Sequence, residues 1–293
     1  MTSFLFRTLF RLLARFSLPT LHRLGTALGY LSYTFSKSYA SRTQENLHDS
    51  RLVQDGHHFA ALLKQTVAEA GKSITELAWI WTRPHAEVCA AVTQVEGWQH
   101  IESAQAAGKG LIILTPHWGS FEMIGAYVGQ HFPITNLYRA PKRAWIETLM
   151  RNGRQRGQAK LASADVSGVR TLLKALKRGE AIGLLPDQVP SNGEGEWVEF
   201  FHRPAYTMTL SGRLAHNSGA AVVLAYAERL PHGAGYHLHI QPLSLDFAQS
   251  VPLQINQALE QVIATAPAQY LWSYNRYKVP SGVTPPNELT TND

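Results

Sequence analysis

Between Leu111 and Met123 the chain reads LIILTPHWGSFEM: an apolar, β-branched run, then His117, then Glu122 five residues further on. On one continuous helix, residues five apart diverge by about 140°. The imidazole and the carboxylate therefore meet only if His117 ends a strand and Trp118-Gly119 turns the chain. Ser120 would then cap a new helix that carries Glu122 in its first turn, where the helix dipole favours negative charge. A carboxylate beside an imidazole fixes its tautomer, stabilises the imidazolium and leaves the other nitrogen as a general base. His117 and Glu122 are accordingly the expected catalytic pair, at the carboxyl end of a strand where parallel sheets place their chemistry.

Motifs that are missing narrow the reaction. There is no G-x-S-x-G elbow, so a serine nucleophile lacks its usual setting. AGKG at 107–110 has no Ser or Thr in the place a phosphate-binding loop requires, and GEG at 193–195 lacks dinucleotide spacing. A His and a Glu without a nucleophile suit direct transfer, in which the His removes a hydroxyl proton as that oxygen attacks an activated acyl group. A membrane-bound thioesterase or lipid hydrolase, using the same pair on water, is the competing reaction. His237 and His239 share one face of a strand and could hold a metal, although paired surface imidazoles are more often only that. No metal and no cofactor is expected. The single cysteine, Cys89, excludes a disulfide framework and Cys-rich zinc sites, and suits a reducing compartment.

Charge is distributed unevenly. The formal charge is +6, and the first 42 residues hold Arg7, Arg11, Arg15, Arg23, Lys37 and Arg42 with no Asp or Glu, so the whole excess is N-terminal. Arg7, Arg11 and Arg15 recur at helical spacing opposite Phe6, Leu9, Phe10, Leu13 and Phe16. No uninterrupted apolar run reaches about 18 residues, and no A-x-A-like cleavage site follows. The pattern fits a helix lying in a membrane interface, Arg at lipid phosphates and Phe/Leu among acyl chains. Leu21–Phe35, with Gly25 and Gly29, is expected to pack closely on that helix. A second basic cluster runs from Arg139 to Lys160, with Lys142, Arg143, Arg151, Arg154 and Arg156 against the lone acid Glu147. It suits lipid phosphates or an acidic carrier protein; nucleic acid is not an expected partner.

The elements that must position these groups follow from periodicity. Residues 57–81 read as a helix closed by Arg83-Pro84. From Gly110 onward, strands (111–115, 134–138, 181–186, 220–228, 236–243) alternate with helices (120–130, 143–157, 167–179, 207–219, 251–267), with Gly219 as a C-cap. That alternation indicates an α/β fold with a mostly parallel central sheet flanked by helices. At 293 residues and 45% apolar composition the chain can bury one large core or two modest ones. The expected organisation is a membrane-associating segment over 1–42, a single α/β domain over 43–280 and a polar, Pro-rich, disordered tail over 281–293. Asp187 and Gln188 follow the strand AIGLLP at its carboxyl end, which favours a site role, with capping of the following loop as the alternative for Asp187. The Gly-rich loop 189–197 could close over an entering chain.

PHWGSFE resembles the H-x4-D/E motif of glycerolipid-type acyltransferases. Further markers are RTQENL (42–47), YRAPK (138–142), NGRQRG (152–157), LPDQ (185–188), VEFF (198–201), PAYTMT (204–209) and QYLWSYNRYK (269–278). With them the chain resembles the late lauroyl/myristoyl acyltransferases of lipid A biosynthesis in Gram-negative bacteria, from about residue 5 to Lys278. The E-G-T-R motif of phospholipid-making relatives is missing where LPDQ stands, and His202 occupies a position where Gly is frequent. The resemblance implies acyl-acyl carrier protein as donor and the 3-hydroxyl of a hydroxyacyl chain on a Kdo-bearing lipid A precursor as acceptor. It also implies contact with membrane phospholipids at the cytoplasmic face of the bacterial inner membrane. Arg154 is at a family-matching position and is the foremost expected substrate contact. Arg139, Arg156, Asp187, Gln188 and Arg276 complete the expected binding residues, Arg276 also matching a family position as a structural or phosphate-contacting cation. A phospholipid or other glycolipid acyltransferase stays open as the alternative.

Overall fold

The computed structural model describes residues 2–141 and 143–286, with side chains from Thr8 onward. Lys142, the side chains of Phe6 and Arg7, and the tail beyond residue 286 lie outside the described residues. The chain opens with five helices, α1 (Thr2–Leu13), α2 (Leu18–Phe35), α3 (Lys37–Asp49), α4 (Gly56–Thr82) and α5 (His85–Ala90). Then follow β1 (Val92–Glu96), α6 (Trp98–Ala107), β2 (Leu111–Leu114), α7 (Glu122–His131), β3 (Ile134–Tyr138), α8 (Ala144–Arg154), β4 (Ala159–Ser163) and α9 (Val166–Lys177). The rest is β5 (Ala181–Leu184), β6 (Gly195–Phe200), β7 (Arg203–Met208), α10 (Leu210–Ser218), β8 (Ala221–Arg229), β9 (Tyr236–Pro242) and α11 (Val251–Thr265).

Among the described residues seven strands form the central sheet, in the order β1-β9-β8-β2-β5-β3-β4. Every neighbouring pair is parallel except β8 with β9, so the expected mostly parallel α/β sheet is what forms. β2 is central and Leu111, Ile112, Ile113 and Leu114 are all buried, because alternate residues enter two different cores. Ile112 and Leu114 pack with Leu172, Leu176, Leu214, Leu259 and Ile263 of α9, α10 and α11. Leu111 and Ile113 pack on the other face with Leu21, Ile80, Ile101, Met123 and Ile124 of α2, α4, α6 and α7. Helices on both faces of a parallel sheet are why its strands read as unbroken apolar runs.

Three elements depart from expectation. Thr207 and Met208 end a strand, not a helix; α10 begins at Leu210 and closes on Gly219, whose φ of 64° is the expected left-handed cap. β6 and β7 form a hairpin whose two-residue turn, Phe201 and His202, has φ of 45° and 62°. Two positive φ values match the twist of the flanking strands in a type I′ turn, which is why glycine would be at home at His202. Finally, Gly25 and Gly29 do not face α1. They pack against α4, where a Cβ on Gly25 would lie 2.6 Å from Lys72 Cα and one on Gly29 would overlap the Val67 carbonyl. The small residues there, completed by Gly71, let two backbones approach closely and bring Leu18 and Leu21 into the core.

Beneath the sheet end, Arg229 closes β8 and is buried. It donates to Glu76 from Nε (2.9 Å) and Nη2 (2.6 Å), to Glu69 (2.7 Å), and to the Gly119 carbonyl (2.9 Å). His22 and the Tyr236 hydroxyl complete the ring around Glu76. Burial alone would raise the Glu76 carboxyl, but the charge and hydrogen bonds of Arg229 outweigh it and hold the group at about 2. One ion pair thus ties α2, α4, β8 and the loop after β2 together.

Candidate active site

The loop after β2 is held on every side. Thr115 N–H donates to Leu184 O, and the Trp118 N–H turns back to Pro116 O (2.7 Å). Gly119 has φ of 56° and a Cβ there would overlap the Ala227 carbonyl, so this position requires glycine. Gly119 N–H donates to Gln269 O, Ser120 N–H to Ala227 O, and Leu271 N–H to His117 O. Trp118 Nε1 reaches Ala266 O at 3.0 Å. β2 ends at Leu114 rather than at His117, which stands in a bend three residues further on and leads through a tight turn into a helix whose first residue is Glu122. The Ser120 side chain makes no cap; its carbonyl accepts from Met123 N–H.

The carboxylate that meets His117 is Asp187. Its Oδ1 lies 2.7 Å from His117 Nδ1 and its Oδ2 accepts the His117 backbone N–H at 2.7 Å. Asp187 is buried; burial would raise its carboxyl, but the imidazole and these hydrogen bonds win and lower it. With Nδ1 protonated toward Asp187, Nε2 is a bare acceptor, 3.0 Å from Gln188 Nε2. Phe121 packs against the ring, centroids 4.8 Å apart.

Glu122 stands elsewhere. Arg154 grips it in a fork, Nε donating to Oε1 and Oε2 at 3.1 and 2.9 Å and Nη2 to Oε1, while Trp81 Nε1 donates to Oε2 at 3.1 Å. Burial would lower the Arg154 guanidinium, but the charge and hydrogen bonds of Glu122 raise it. The sequence spacing set Glu122 against the imidazole; the structure gives that place to Asp187, which comes from the neighbouring strand end. Arg154, expected as a substrate contact, is thus the partner of Glu122.

Over the imidazole opens a cavity of about 640 Å³. Its apolar walls come from Leu137, Met150, Val169, Leu173, Leu185 and Leu214, and Val189, Pro190, Gly193 and Glu194 bring the Gly-rich loop to it. Arg139, Arg154, Arg170 and Arg213 line it together with His117 and Gln188. The basic cluster read from sequence is therefore dispersed. Arg139 and Arg154 reach the cavity, and α9 and α10 supply two arginines that were not anticipated. Arg151 donates to the Tyr138 hydroxyl at 2.6 Å. Arg156, expected at the substrate, spends its guanidinium on the carbonyls of Ile80 and Arg83 at the end of α4 and of Gly153 in α8. Arg276 is buried, donating to Tyr206 O (2.9 Å) and Thr207 Oγ1 (2.6 Å), and its charge bears on Asp187 from inside the fold.

Several sequence markers meet here. Asn46 Nδ2 donates to the carbonyls of Trp272 and Tyr274, and the Tyr274 hydroxyl accepts Val189 N–H just past Asp187. RTQENL, LPDQ, PAYTMT and QYLWSYNRYK thus form one wall behind the imidazole. Trp81, which sequence reading missed, holds Glu122, packs beneath Gly153 and lies 5.8 Å from the Arg154 guanidinium.

Fold and cavity together define a class: an α/β protein with an oriented imidazole at the wall of a roomy, partly apolar cavity. The chain belongs to the bacterial lipid A biosynthesis acyltransferase family, whose model it matches over residues 1–279. It is 29% identical over 271 residues to the lipid A biosynthesis lauroyltransferase of Escherichia coli (strain K12), covering 90% of this chain and 88% of that protein. It is 26% identical over 265 residues to the lipid A biosynthesis palmitoleoyltransferase of the same organism, covering 89% and 85%. A lipid A biosynthesis acyltransferase of Haemophilus influenzae is 30% identical over 182 residues, 60% of this chain and 56% of that protein. The protein is thus an acyltransferase of lipid A biosynthesis.

Proposed function

We propose that the protein moves a fatty acyl chain from acyl-acyl carrier protein to the 3-hydroxyl of a hydroxyacyl chain on a Kdo-bearing lipid A precursor. The observation that carries this is the His117–Asp187 pair, with the imidazole at the wall of a cavity of about 640 Å³ lined by apolar side chains and arginines. In this mechanism the acceptor hydroxyl displaces Gln188 from Nε2 and gives its proton to that nitrogen as its oxygen attacks the thioester carbonyl. The buried Asp187 carboxylate stabilises the imidazolium. Collapse of the tetrahedral intermediate breaks the carbon–sulfur bond, and the imidazolium returns the proton to the departing thiolate. Glu122 acts through Arg154, fixing a cation at the cavity wall for anionic substrate groups; Arg139, Arg170 and Arg213 extend that charge.

A seat on the cytoplasmic face of the inner membrane, among its phospholipids, fits the outer faces of the first two helices. No helix among the described residues is long and apolar enough to cross a membrane. Leu9 and Leu12 are exposed along α1, Phe16 in the turn after it, and Leu24, Leu28, Leu31 and Phe35 along α2, Phe35 to 82%. Arg11, Arg15 and Arg23 are exposed beside them. Apolar stripes flanked by arginine suit helices lying among anionic headgroups.

The test incubates purified protein in detergent with acyl-acyl carrier protein and the lipid A precursor, and follows both by mass spectrometry. A precursor heavier by one acyl group is expected, with His117→Ala slower by about 10²–10⁴. Release of free fatty acid with unmodified precursor would show a hydrolase instead.

A further inference from the structure

On the opposite side of β8 from β2, three strands place acids and imidazoles on one face. β1 pairs with β9 in a register that sets Glu96 beside His239, with His237 two residues earlier and on the same face. The antiparallel register of β8 sets Glu228 opposite His237 and Tyr226 opposite His239. Glu96 Oε1 lies 3.3 Å from His237 Nε2 and Glu96 Oε2 lies 3.3 Å from His239 Nδ1. One ligand atom from each of the three lies within 4.8 Å of the others.

We propose that Glu96, His237 and His239 bind a transition-metal dication of the zinc type, with Glu228 orienting His239. The two Glu96–imidazole distances, 3.3 Å through its two different oxygens, match a coordination edge: a tetrahedral zinc with ligands at about 2.0–2.1 Å sets them about 3.3–3.4 Å apart. The alternative, plain hydrogen bonding within the cluster, leaves a group unexplained. His237 Nε2 is buried and has no hydrogen-bond partner despite its proximity to Glu96. A buried unpaired ring nitrogen is costly, and a metal is the partner that would satisfy it without a proton.

The surroundings fit as well. His239 presents Nδ1 to Glu96, and its other nitrogen, Nε2, lies 3.5 Å from Glu228 Oε2. A ligating imidazole commonly directs its second N–H to a carboxylate, which fixes the tautomer and ring orientation. The Tyr226 ring stacks on His239 at 4.8 Å and an interplanar angle of 12°, and the Tyr226 hydroxyl accepts from Gln241 at 2.9 Å. The two imidazoles are 12% and 18% exposed and Glu96 68%, so the site is open to an ion from solvent on one side. Three protein ligands leave a fourth position for water. The site would pin β1, the outermost strand, to β9; it stands independently of the transfer mechanism.

The test uses tag-free, full-length protein stripped with chelator, titrated with Zn²⁺ in a competition assay and with Co²⁺ by visible absorption. One equivalent of Zn²⁺ at micromolar or tighter affinity is expected, and a tetrahedral-type Co²⁺ band. Glu96→Gln, at an exposed side chain, removes a ligand and should weaken binding by more than the about 10–100-fold that loss of an outer partner costs. His239→Gln should abolish both the Zn²⁺ equivalent and the Co²⁺ band, and Zn²⁺ should raise the Tm of the parent but not of these variants. The exposed pair His57 and His58, changed together to Gln, should leave binding intact. No binding at millimolar Zn²⁺, or an equivalent that survives His239→Gln and Glu96→Gln but is lost with His57 and His58, overturns the proposal.

Discussion

Asp187→Asn is the sharpest perturbation of the proposed base. The carboxylate serves two donors at once, His117 Nδ1 and the His117 backbone N–H, each at 2.7 Å. An asparagine has one oxygen for both. The backbone donor cannot turn away, so the oxygen stays with it and the amide NH₂ confronts Nδ1. The imidazole answers by moving its proton to Nε2, the nitrogen that must be bare to accept the substrate hydroxyl. Reversing the amide restores the ring tautomer but leaves a buried backbone N–H facing another donor. Either arrangement also removes the negative charge that stabilises the imidazolium. The variant is nearly isosteric, so its fold should hold while transfer falls about 10²–10⁴-fold, or about 2.7–5.4 kcal/mol of barrier. Glu122→Gln should cost less and act mainly on KM, because its partners are Arg154 and Trp81. The assay is the initial rate of transfer from acyl-acyl carrier protein to the lipid precursor in detergent, with circular dichroism on each variant. A folded Asp187→Asn enzyme at nearly the parent rate, with Glu122→Gln inactive, would return the imidazole to Glu122 and refute this mechanism.

Arg154→Glu should raise KM for the anionic substrates and set two carboxylates against each other; unchanged kinetics at low salt would remove Arg154 from the site. Arg229→Met strands Glu76 in the core and should destabilise by about 3–5 kcal/mol, read as a fall in the urea midpoint. Glu76 sits near 2 against an ordinary 4.5, so its ionised form is the one the fold favours. Its contribution is complete above pH 4.5 and fades as pH falls toward 2; the Tm of the parent should drop across that window more steeply than that of Glu76→Gln. His202→Gly relieves a left-handed residue in the β6–β7 turn and should stabilise by about 1 kcal/mol, measured by thermal unfolding.

The strand-turn-helix around His117 was legible because each residue carries a local reason: an apolar run, a glycine at a turn, an acid in a first helical turn. The identity of the carboxylate was not. Asp187 meets His117 only because β5 lies beside β2, and strand order is a tertiary fact that no local pattern encodes. The LPDQ segment was singled out for its place at a strand end, and that was the available signal. β1 and β4 escaped notice because VTQVE and AKLAS, at the two edges of the sheet, carry little apolar run. The arginine cluster misled for the opposite reason. Proximity in sequence suggested one patch, whereas a helix and the turn after it point Arg151, Arg154 and Arg156 at three different partners.

Trp81 has a bearing on how this enzyme can be re-engineered. One ring face meets Phe10 of α1 at 5.9 Å, and the same side chain donates to Glu122 and supports Arg154. Arg83, two residues on, reaches back to the carbonyls of Ala14 and Arg15. The first helix is therefore no detachable tether. A chimera that exchanges α1 for an unrelated helix would lose the brace under its own arginine fork, so the first helix and the site are not separable modules in this chain.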